Sequence, residues 1–410
     1  MTLLPDEPWR RNQQVMVATV FVVFTGFAFV LPFMTLYVRQ LGVRDPEAVA
    51  LWAGVLIGVS PLVAGLMAPV WGRLADRYGQ KPMALRALVA YVVLLLLSAV
   101  VTDVQQLLVL RLGVGFFGGL GPLGLAMATA SVPREHTGRA VGSVQAAQIL
   151  SAAVGPLAGG VLADVIGIRW TFVVTAAVCA GALVMVARYY QESLPRPRAE
   201  GAPGHGSFAS VLRLRGVAAL LAILFLVNFV GRSLTPILPL HLQQLAVPAG
   251  RLALSTGAVI SLYSVAAAIS AALLGNASRR RSPRALLAAS LLAGTFIVLP
   301  MALVARFPAF LALAVLLGLA SGGCLTLCYT MGGLMVPAEQ RTVAFGFFSG
   351  AALFGGAVAP TVAGLVAHWD LRAIYYVNSL VFLALSLALL PGLAGVAVPR
   401  VSPASPPPEA

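Results

Sequence analysis

Two arginines, Arg111 and Arg232, lie inside long apolar runs of this 410-residue chain, where a fixed positive charge has few partners. Arg232 follows Asn228 by four residues, so in a helix the two side chains would share one face. A guanidinium stays charged at any working pH, and within a membrane it needs an anion, water or carbonyl groups around it. The two arginines therefore indicate either internal structural contacts or a hydrated cavity that favours neutral and anionic molecules.

The acidic residues offer these arginines no partner at membrane depth. All 13 Asp and Glu fall in predicted loops, tails or span ends. A cavity that contained Arg111 and Arg232 would therefore be electropositive. Four aromatic residues inside apolar runs could form part of its wall, although packing between helices is the simpler explanation of each: Phe24, Phe27, Tyr263 and Tyr329.

A further set of chemically active residues lies between two apolar runs, in Gly72-Arg73-Leu74-Ala75-Asp76-Arg77-Tyr78-Gly79-Gln80-Lys81-Pro82. Asp76 could lie against the N-terminus of a neighbouring helix, whose dipole favours negative charge, or pair with an arginine. Gly72 would let helices pack closely, and Gly79 would permit a tight turn. We interpret Gly72, Asp76, Arg77, Gly79 and Lys81 as a conformational latch; the alternative is a basic loop that only sets topology.

Membrane helices must position these residues. The chain is 60% hydrophobic and 10% charged, far below the roughly 25% charged residues of soluble domains. Apolar runs of about 20 residues, each long enough to cross a bilayer, recur twelve times. The predicted spans are 15–38, 48–71, 84–102, 106–130, 140–162, 170–188, 217–240, 252–275, 285–305, 309–332, 343–366 and 373–396.

An internal repeat with an offset of 204 residues relates the two halves of the chain. Pro156 maps to Pro360, Gly160 to Gly364, and the pair Gly118-Gly119 to Gly322-Gly323. We therefore predict an all-α integral membrane protein with two six-helix bundles that face each other across the substrate site. The predicted divisions are a bundle over 1–188, a cytoplasmic linker over 189–216, a bundle over 217–396 and a disordered tail over 397–410.

The net charge of +14 could suggest nucleic acid, but its placement indicates a membrane topology. With the N-terminus inside, 19 of the 27 Lys and Arg fall on the inner side and six on the outer side. This bias matches the positive-inside rule. We predict a multi-pass plasma-membrane (bacterial inner-membrane) protein with both termini in the cytoplasm, and no nucleic-acid partner. Cys324 and Cys328 lack a third ligand nearby, so no metal or other cofactor is predicted.

Three motifs resemble those of one transporter family, the major facilitator superfamily. The loop Gly72–Lys81 resembles its signature G-x-x-x-D-R-x-G-R-K, with Gln80 as a departure, and Leu108-x-x-Arg111-x-x-Val114-Gly115 is similar to its L-x-x-R-x-x-Q-G. Gly155-Pro156-x-x-Gly159-Gly160 resembles the antiporter motif of the drug-efflux branches, for which small-residue helix packing is the alternative reading.

The resemblance, in particular to the twelve-span drug:proton antiporters, implies a cavity lined by spans one, four, seven and ten, and alternating access by rocking. It implies proton-coupled efflux of drugs or small metabolites, with the proton gradient as the driving force, and a link between Arg111 and proton movement. Uptake of a nutrient such as a sugar or organic anion remains the alternative. A monomeric transporter, not an enzyme, is expected.

Overall fold

A computed structural model describes residues 7–130, 132, 136–192, 214, 216–337 and 340–389. Most of the predicted linker and the whole predicted tail lie outside the described residues. The last helix of the first half ends at Tyr189, and the first helix of the second half begins at Val217. The exact division of the chain into bundles and linker therefore stays a prediction.

Over the described residues, the regular structure is entirely helical, which confirms the predicted all-α class. The sixteen α-helices are α1 (Pro8–Val30), α2 (Met34–Gln40), α3 (Pro46–Tyr78), α4 (Gln80–Val100), α5 (Val104–Phe117), α6 (Leu120–Ala130), α7 (Thr137–Val165), α8 (Ile168–Tyr189), α9 (Val217–Ser233), α10 (Leu238–Gln244), α11 (Leu252–Ala277), α12 (Pro283–Met301), α13 (Phe307–Ser321), α14 (Cys324–Met335), α15 (Arg341–Ala367) and α16 (Ala373–Ala388).

Each predicted span coincides with one helix or with a pair of consecutive helices. Nine helical segments of the described chain are long and apolar enough to cross a membrane, and the pair α9 and α10, bent by 46°, makes ten. The two remaining positions hold the shorter apolar helices α5 and α16. Pairs such as α5 with α6 arise because the sequence interrupts a span, here at Gly118 and Gly119, where Gly119 adopts a φ of 104°.

The packing follows the repeat. In the first half α1 packs on α7, α3 on α5 and α4 on α8; the equivalent pairs in the second half are α9 on α15, α11 on α13 and α12 on α16. Hydrogen bonds between helices also stabilise each bundle. They matter in a membrane because the hydrophobic effect does not drive helices together in lipid. Tyr37 donates to the carbonyl of Ser98 at 2.7 Å in the first half, and Asn378 donates to Ser233 at 2.8 Å in the second.

The helix ends define two faces of the molecule. We call the face that contains the end of α8 and the start of α9 the linker face, and the opposite face the far face. Helices α3 and α11 run from the far face to the linker face, whereas α7 and α15 run the other way. These four helices join the two halves, α3 against α15 and α7 against α11.

Candidate functional site

Near the far face, α3 and α15 touch through glycine. A Cβ added to Gly364 would lie 2.6 Å from the carbonyl oxygen of Ala50, and one added to Gly54 or Gly58 would come closer still to the carbonyls of Pro360 and Ala357. No side chain fits in these gaps. The two halves are therefore sealed here by direct backbone contact.

The pair α7 and α11 forms the matching seal. A Cβ on Gly160 would lie 2.6 Å from the carbonyl of Ala253, and one on Gly257 would collide with the carbonyl of Pro156. Next to the collision point, the backbone N–H of Leu157 donates across the interface to the hydroxyl of Ser261 at 3.0 Å. This donor follows a proline, which interrupts the regular pattern of the helix.

The two seals are related by the repeat, except that one helix of each pair is shifted by one residue. Pro156 and Pro360 keep the offset of 204, as predicted. Gly54 and Gly257 play equivalent parts but are 203 residues apart, so α3 and α11 are shifted by one residue against the sequence repeat. A single offset read from the sequence pairs Gly54 with the wrong residue.

The linker-facing halves of the same helices are apart. No described atom lies within 4 Å of a Cβ added to Gly65 on α3, Gly142 on α7, or Gly346 and Gly350 on α15. The hydrogen bonds and ion pairs identified between described residues of the two halves, such as that of Thr35 with Pro236, lie toward the far face. The structure is therefore closed at the far face and separated toward the linker face.

Side chains complete the closure. Thr35 donates to the carbonyl of Pro236 at 2.6 Å, and Arg39 donates to Gln243 at 2.7 Å. The Nδ1 of His368, the residue directly after α15, lies 3.0 Å from the carboxylate of Glu47 at the start of α3. Asp164 accepts two backbone hydrogen bonds from the start of α11.

Arg232 lies near the end of α9, where the separated halves leave its side chain exposed. Among the described residues it has no hydrogen-bond or ion-pair partner. Its Cγ would be 3.5 Å from a Cβ on Gly356, and Tyr263 on α11 is within electrostatic reach. The hydroxyl oxygen of Tyr263 lies 3.5 Å from that of Ser321. The side-chain amide of Asn228 donates to the carbonyl of Leu224 at 3.2 Å. The structure thus gathers Arg232, Tyr263 and Asn228 in the second half.

Arg111 lies elsewhere, packed within the first half. Its side chain is 1% exposed, its Nη2 is 3.4 Å from the sulfur of Met34, and its guanidinium carbon is 5.9 Å from the ring centre of Phe172. Nε and Nη1 have no hydrogen-bond partner among the described residues. Sequence spacing could not distinguish this enclosed position from a cavity wall, because both lie on the apolar face of one span.

The predicted aromatic residues are distributed over both halves. Phe27 packs edge-to-face on Tyr91 at 4.9 Å, and Phe24 lies near Gly121. Tyr329 stacks on Phe345 at 5.9 Å. All three predicted residues are half-buried. Their contacts are those of packed helices, and their role as cavity wall stays a prediction.

The breaks in α5–α6 and α13–α14 occur at repeat-equivalent glycine pairs. Carbonyl groups left free at the end of α5 are bound by side chains: Trp71 donates to Phe116 at 2.6 Å, and Arg86 donates to Phe117 at 3.1 Å. Arg86 also stacks on Trp71, with its guanidinium carbon 3.3 Å from the ring centre. In the sequence Arg86 counts only as one of the basic residues of the inner side, because its spacing fits no motif.

The predicted latch residues lie at the linker face, around the turn between α3 and α4. Gly79 adopts a φ of 96°, and Gly72 has open space around it. Glu192 accepts hydrogen bonds from the backbone N–H groups of Gln80 and Lys81 at 2.7 and 2.8 Å, and Lys81 donates to carbonyls at the end of α8. Asp76 and Arg77 are exposed.

The residues of the antiporter-type motif divide between two contacts. Gly155 and Gly159 bring α7 close to α1, where a Cβ would meet Ala28 or the backbone of Phe29. Pro156 and Gly160 face the second half, in the seal with α11. The motif is therefore at once a packing element of the first bundle and part of the contact between bundles.

The comparisons with known proteins agree with this architecture. The family model described as the Major Facilitator Superfamily matches residues 16–305 and 221–410. The chain belongs to the major facilitator superfamily. Members of this superfamily are transporters, so the protein is a membrane transporter and not an enzyme.

Superfamily relatives include the multidrug resistance protein MdtG of Proteus mirabilis (strain HI4320), 30% identical over 93% of this chain and 96% of its own. The MdtG protein of Dickeya zeae (strain Ech586) is 32% identical over 90% of this chain and 91% of its own. Among solved structures, a bacterial homologue of the lysosomal transporter Spinster, inward-facing and occupied, has a TM-score of 0.73 at 16% identity, covering 95% of this chain and 96% of its own. The nucleoside transporter NupG has a TM-score of 0.75 at 13% identity, over 92% and 98%.

Two residues near the ends of predicted spans make contacts that the sequence did not indicate. Asp164 was grouped with the carboxylates at span ends, yet it bridges the halves. His241 is 1% exposed within α10, between the rings of Phe310 and Tyr375 at 5.0 and 5.1 Å. Hydropathy places both near the limits of an apolar run and does not show which neighbours they meet.

Proposed function

We propose that the protein exports small neutral or anionic compounds, drugs or metabolites, in exchange for protons, by alternating access. The MdtG relatives carry the name of multidrug resistance proteins. The linker face would be cytoplasmic, because most of the basic residues lie on its side. The structure would then represent an inward-open state that receives substrate from the cytoplasm.

The observation that carries the substrate class is Arg232, an exposed residue between the two halves with no hydrogen-bond or ion-pair partner among the described residues. Every described carboxylate lies at or beyond the end of a helix, so none supplies a counter-charge at this depth. The site therefore attracts anions and tolerates neutral molecules, whereas it repels lipophilic cations. Asn228 and Tyr263 add a donor and an aromatic surface beside the charge.

The proton step is assigned to the first half through Arg111. A buried guanidinium with unpartnered N–H groups binds any water or anion that reaches it, which would hold a hydrated path for protons at this position. Coupling through Arg111 and substrate binding through Arg232 would place the two functions in different bundles.

Binding to the purified protein tests the substrate class. Fluorescein serves as an anion, coumarin as a neutral compound and tetraphenylphosphonium as a cation, with thermal shift and equilibrium binding as readouts. Arg232→Gln removes a charge-assisted contact worth about 1.5–3 kcal/mol, so the anion should bind roughly 10- to 100-fold more weakly and the neutral compound almost as before. Arg232→Lys should recover only part of the loss, because the planar fork is absent.

Arg251→Gln is the matched control, since it removes an exposed charge from the far face. Transport in everted vesicles then gives direction: an anion accumulated in exchange for protons supports export. Tight binding of tetraphenylphosphonium that is unchanged or improved in Arg232→Gln would refute the electropositive site. Substrate movement in the opposite direction would favour nutrient uptake.

A further inference from the structure

Asp164, next to the last residue of α7, accepts hydrogen bonds from two backbone N–H groups of the opposite half. Its Oδ2 lies 2.8 Å from the nitrogen of Leu254 and its Oδ1 lies 3.3 Å from that of Ala253. Both donors are in the first turn of α11, where N–H groups have no partner within the helix. The carboxylate therefore acts as the N-terminal cap of a helix in the other bundle.

The second half provides no cap of its own at this place. The residue before α11 is Arg251, whose side chain makes no capping hydrogen bond. In the first half, the equivalent helix α3 is capped locally, because Asp45 accepts from the nitrogen of Ala48 at 3.0 Å. The corresponding position before α11 is Pro248, which has no carboxylate.

The close approach that lets Asp164 reach α11 comes from Gly160, one turn earlier on α7. A side chain at 160 would separate the helices by colliding with Ala253. Asp164 is half-buried at this junction, so its charge is less exposed to screening than a surface carboxylate. Glycine contact and carboxylate cap thus form one unit at the far face.

The repeat places His368 where the first half has Asp164. His368 contacts a side chain of the other half and not its backbone N–H groups. His368 meets the Glu47 carboxylate, and both side chains are at least half exposed. Helix α3 begins at Pro46, a full turn before Ala50, so the backbone groups facing α15 are already engaged within the helix. A carboxylate at 368 would therefore not find the equivalents of the two N–H groups that Asp164 binds, because those of Ala50 and Leu51 bond within α3.

We infer that Asp164 is a positioning residue of the transport cycle: its cap on α11 holds the far face closed and is broken each time the far face opens. The inference rests on the alternating access of the proposed function. It supplies the counterpart of the Asp76 latch, which the sequence indicates only at the linker face. One carboxylate would then favour each of the two end states.

Spin-label distances across the far face test this in the full-length protein in nanodiscs. Labels at Arg44→Cys and Arg306→Cys, both exposed and in different halves, report closed and open populations, while the three native cysteines are buried. Asp164→Asn keeps one capping oxygen but loses the charge and the second acceptor, so it should raise the open-to-closed ratio by roughly 2- to 5-fold. Asp164→Glu should restore closure in part.

Asp103→Asn is the matched control. Asp103 is also a far-face carboxylate that accepts from two N–H groups, those of Gln105 and Gln106, but within its own half. Asp103→Asn should lower the melting temperature without changing the open-to-closed ratio of the far face. In vesicles, Asp164→Asn should raise the KM for cytoplasmic substrate more than it lowers the maximal rate, because fewer molecules are inward-open.

The outcomes are separable. A wild-type ratio in Asp164→Asn, or an equal shift in Asp103→Asn, overturns the inference even if export is found. A selective shift in Asp164→Asn supports it, whatever the vesicle assay shows. Absence of export together with that shift would count against the proposed function alone.

Discussion

The far-facing and linker-facing halves of α3, α7, α11 and α15 contain similar small residues but use them differently. At the far face, Gly54, Gly160 and Gly257 press against backbone carbonyls of the other bundle. Toward the linker face, Gly65 and Gly346 have open space around them. Glycine weakens a helix, so at the glycines without a close neighbour we expect contacts in a state that is closed toward the linker face.

The largest effect is expected where a single carbon would break the far-face contact. Gly257→Ala places a Cβ against the carbonyl of Pro156, and such overpacking costs typically about 1–3 kcal/mol. The far face should open, and export should fall by about tenfold or more. Gly181→Ala, the same change at an exposed position of α8 where no described atom lies within 4 Å, is the control. Equal losses in both variants would show that the seal has no special role.

A smaller effect is expected at the linker face, where a change should favour the far-closed state instead of opening the far face. Asp76→Asn should leave the far-closed state intact, because that state is held by contacts at the other end of the molecule. It should weaken the outward-open state by about 1 kcal/mol, the worth of a charge at a helix terminus, and export should fall about fivefold. Far-face distances together with transport at equal expression provide the measurement. A shift toward far-face opening would contradict the latch.

The smallest effect is expected for Gly65→Ala. In the state described here the new methyl group meets nothing within 4 Å, and the helix gains about 0.5–1 kcal/mol. The melting temperature should therefore rise slightly. If the linker-facing halves close during transport, the maximal rate should nevertheless decrease. A higher melting temperature with unchanged transport would mean that Gly65 never reaches a close contact.

The sequence was sufficient for the fold, because membrane helices follow from hydropathy and the two bundles from the repeat. It also identified Pro156, Gly160 and Gly364, which the structure places in the seals. It could not identify Gly54 and Gly257 as equivalents, since a one-residue shift separates them from the common offset. Backbone carbonyls are the partners of these glycines, and carbonyls leave no signature in a pattern of side chains.

The charged residues show the same limit. Both deep arginines were found from the sequence, but their surroundings were not: Arg111 is enclosed by Met34 and Phe172, and Arg232 is exposed. Asp164 was recognised only as a carboxylate at a span end. Its partners are N–H groups of a helix that begins 88 residues later, at Leu252, so no local spacing could connect them.

The capping of α11 by the other half also bears on how the duplicated gene diverged. Two identical ancestral copies could each have carried an acid before the helix, as Asp45 still does for α3. Once fused, the second copy could lose that acid, because Asp164 supplies the charge from the first copy. The halves are consequently no longer interchangeable: a dimer assembled from two C-terminal halves would leave every such helix without a cap.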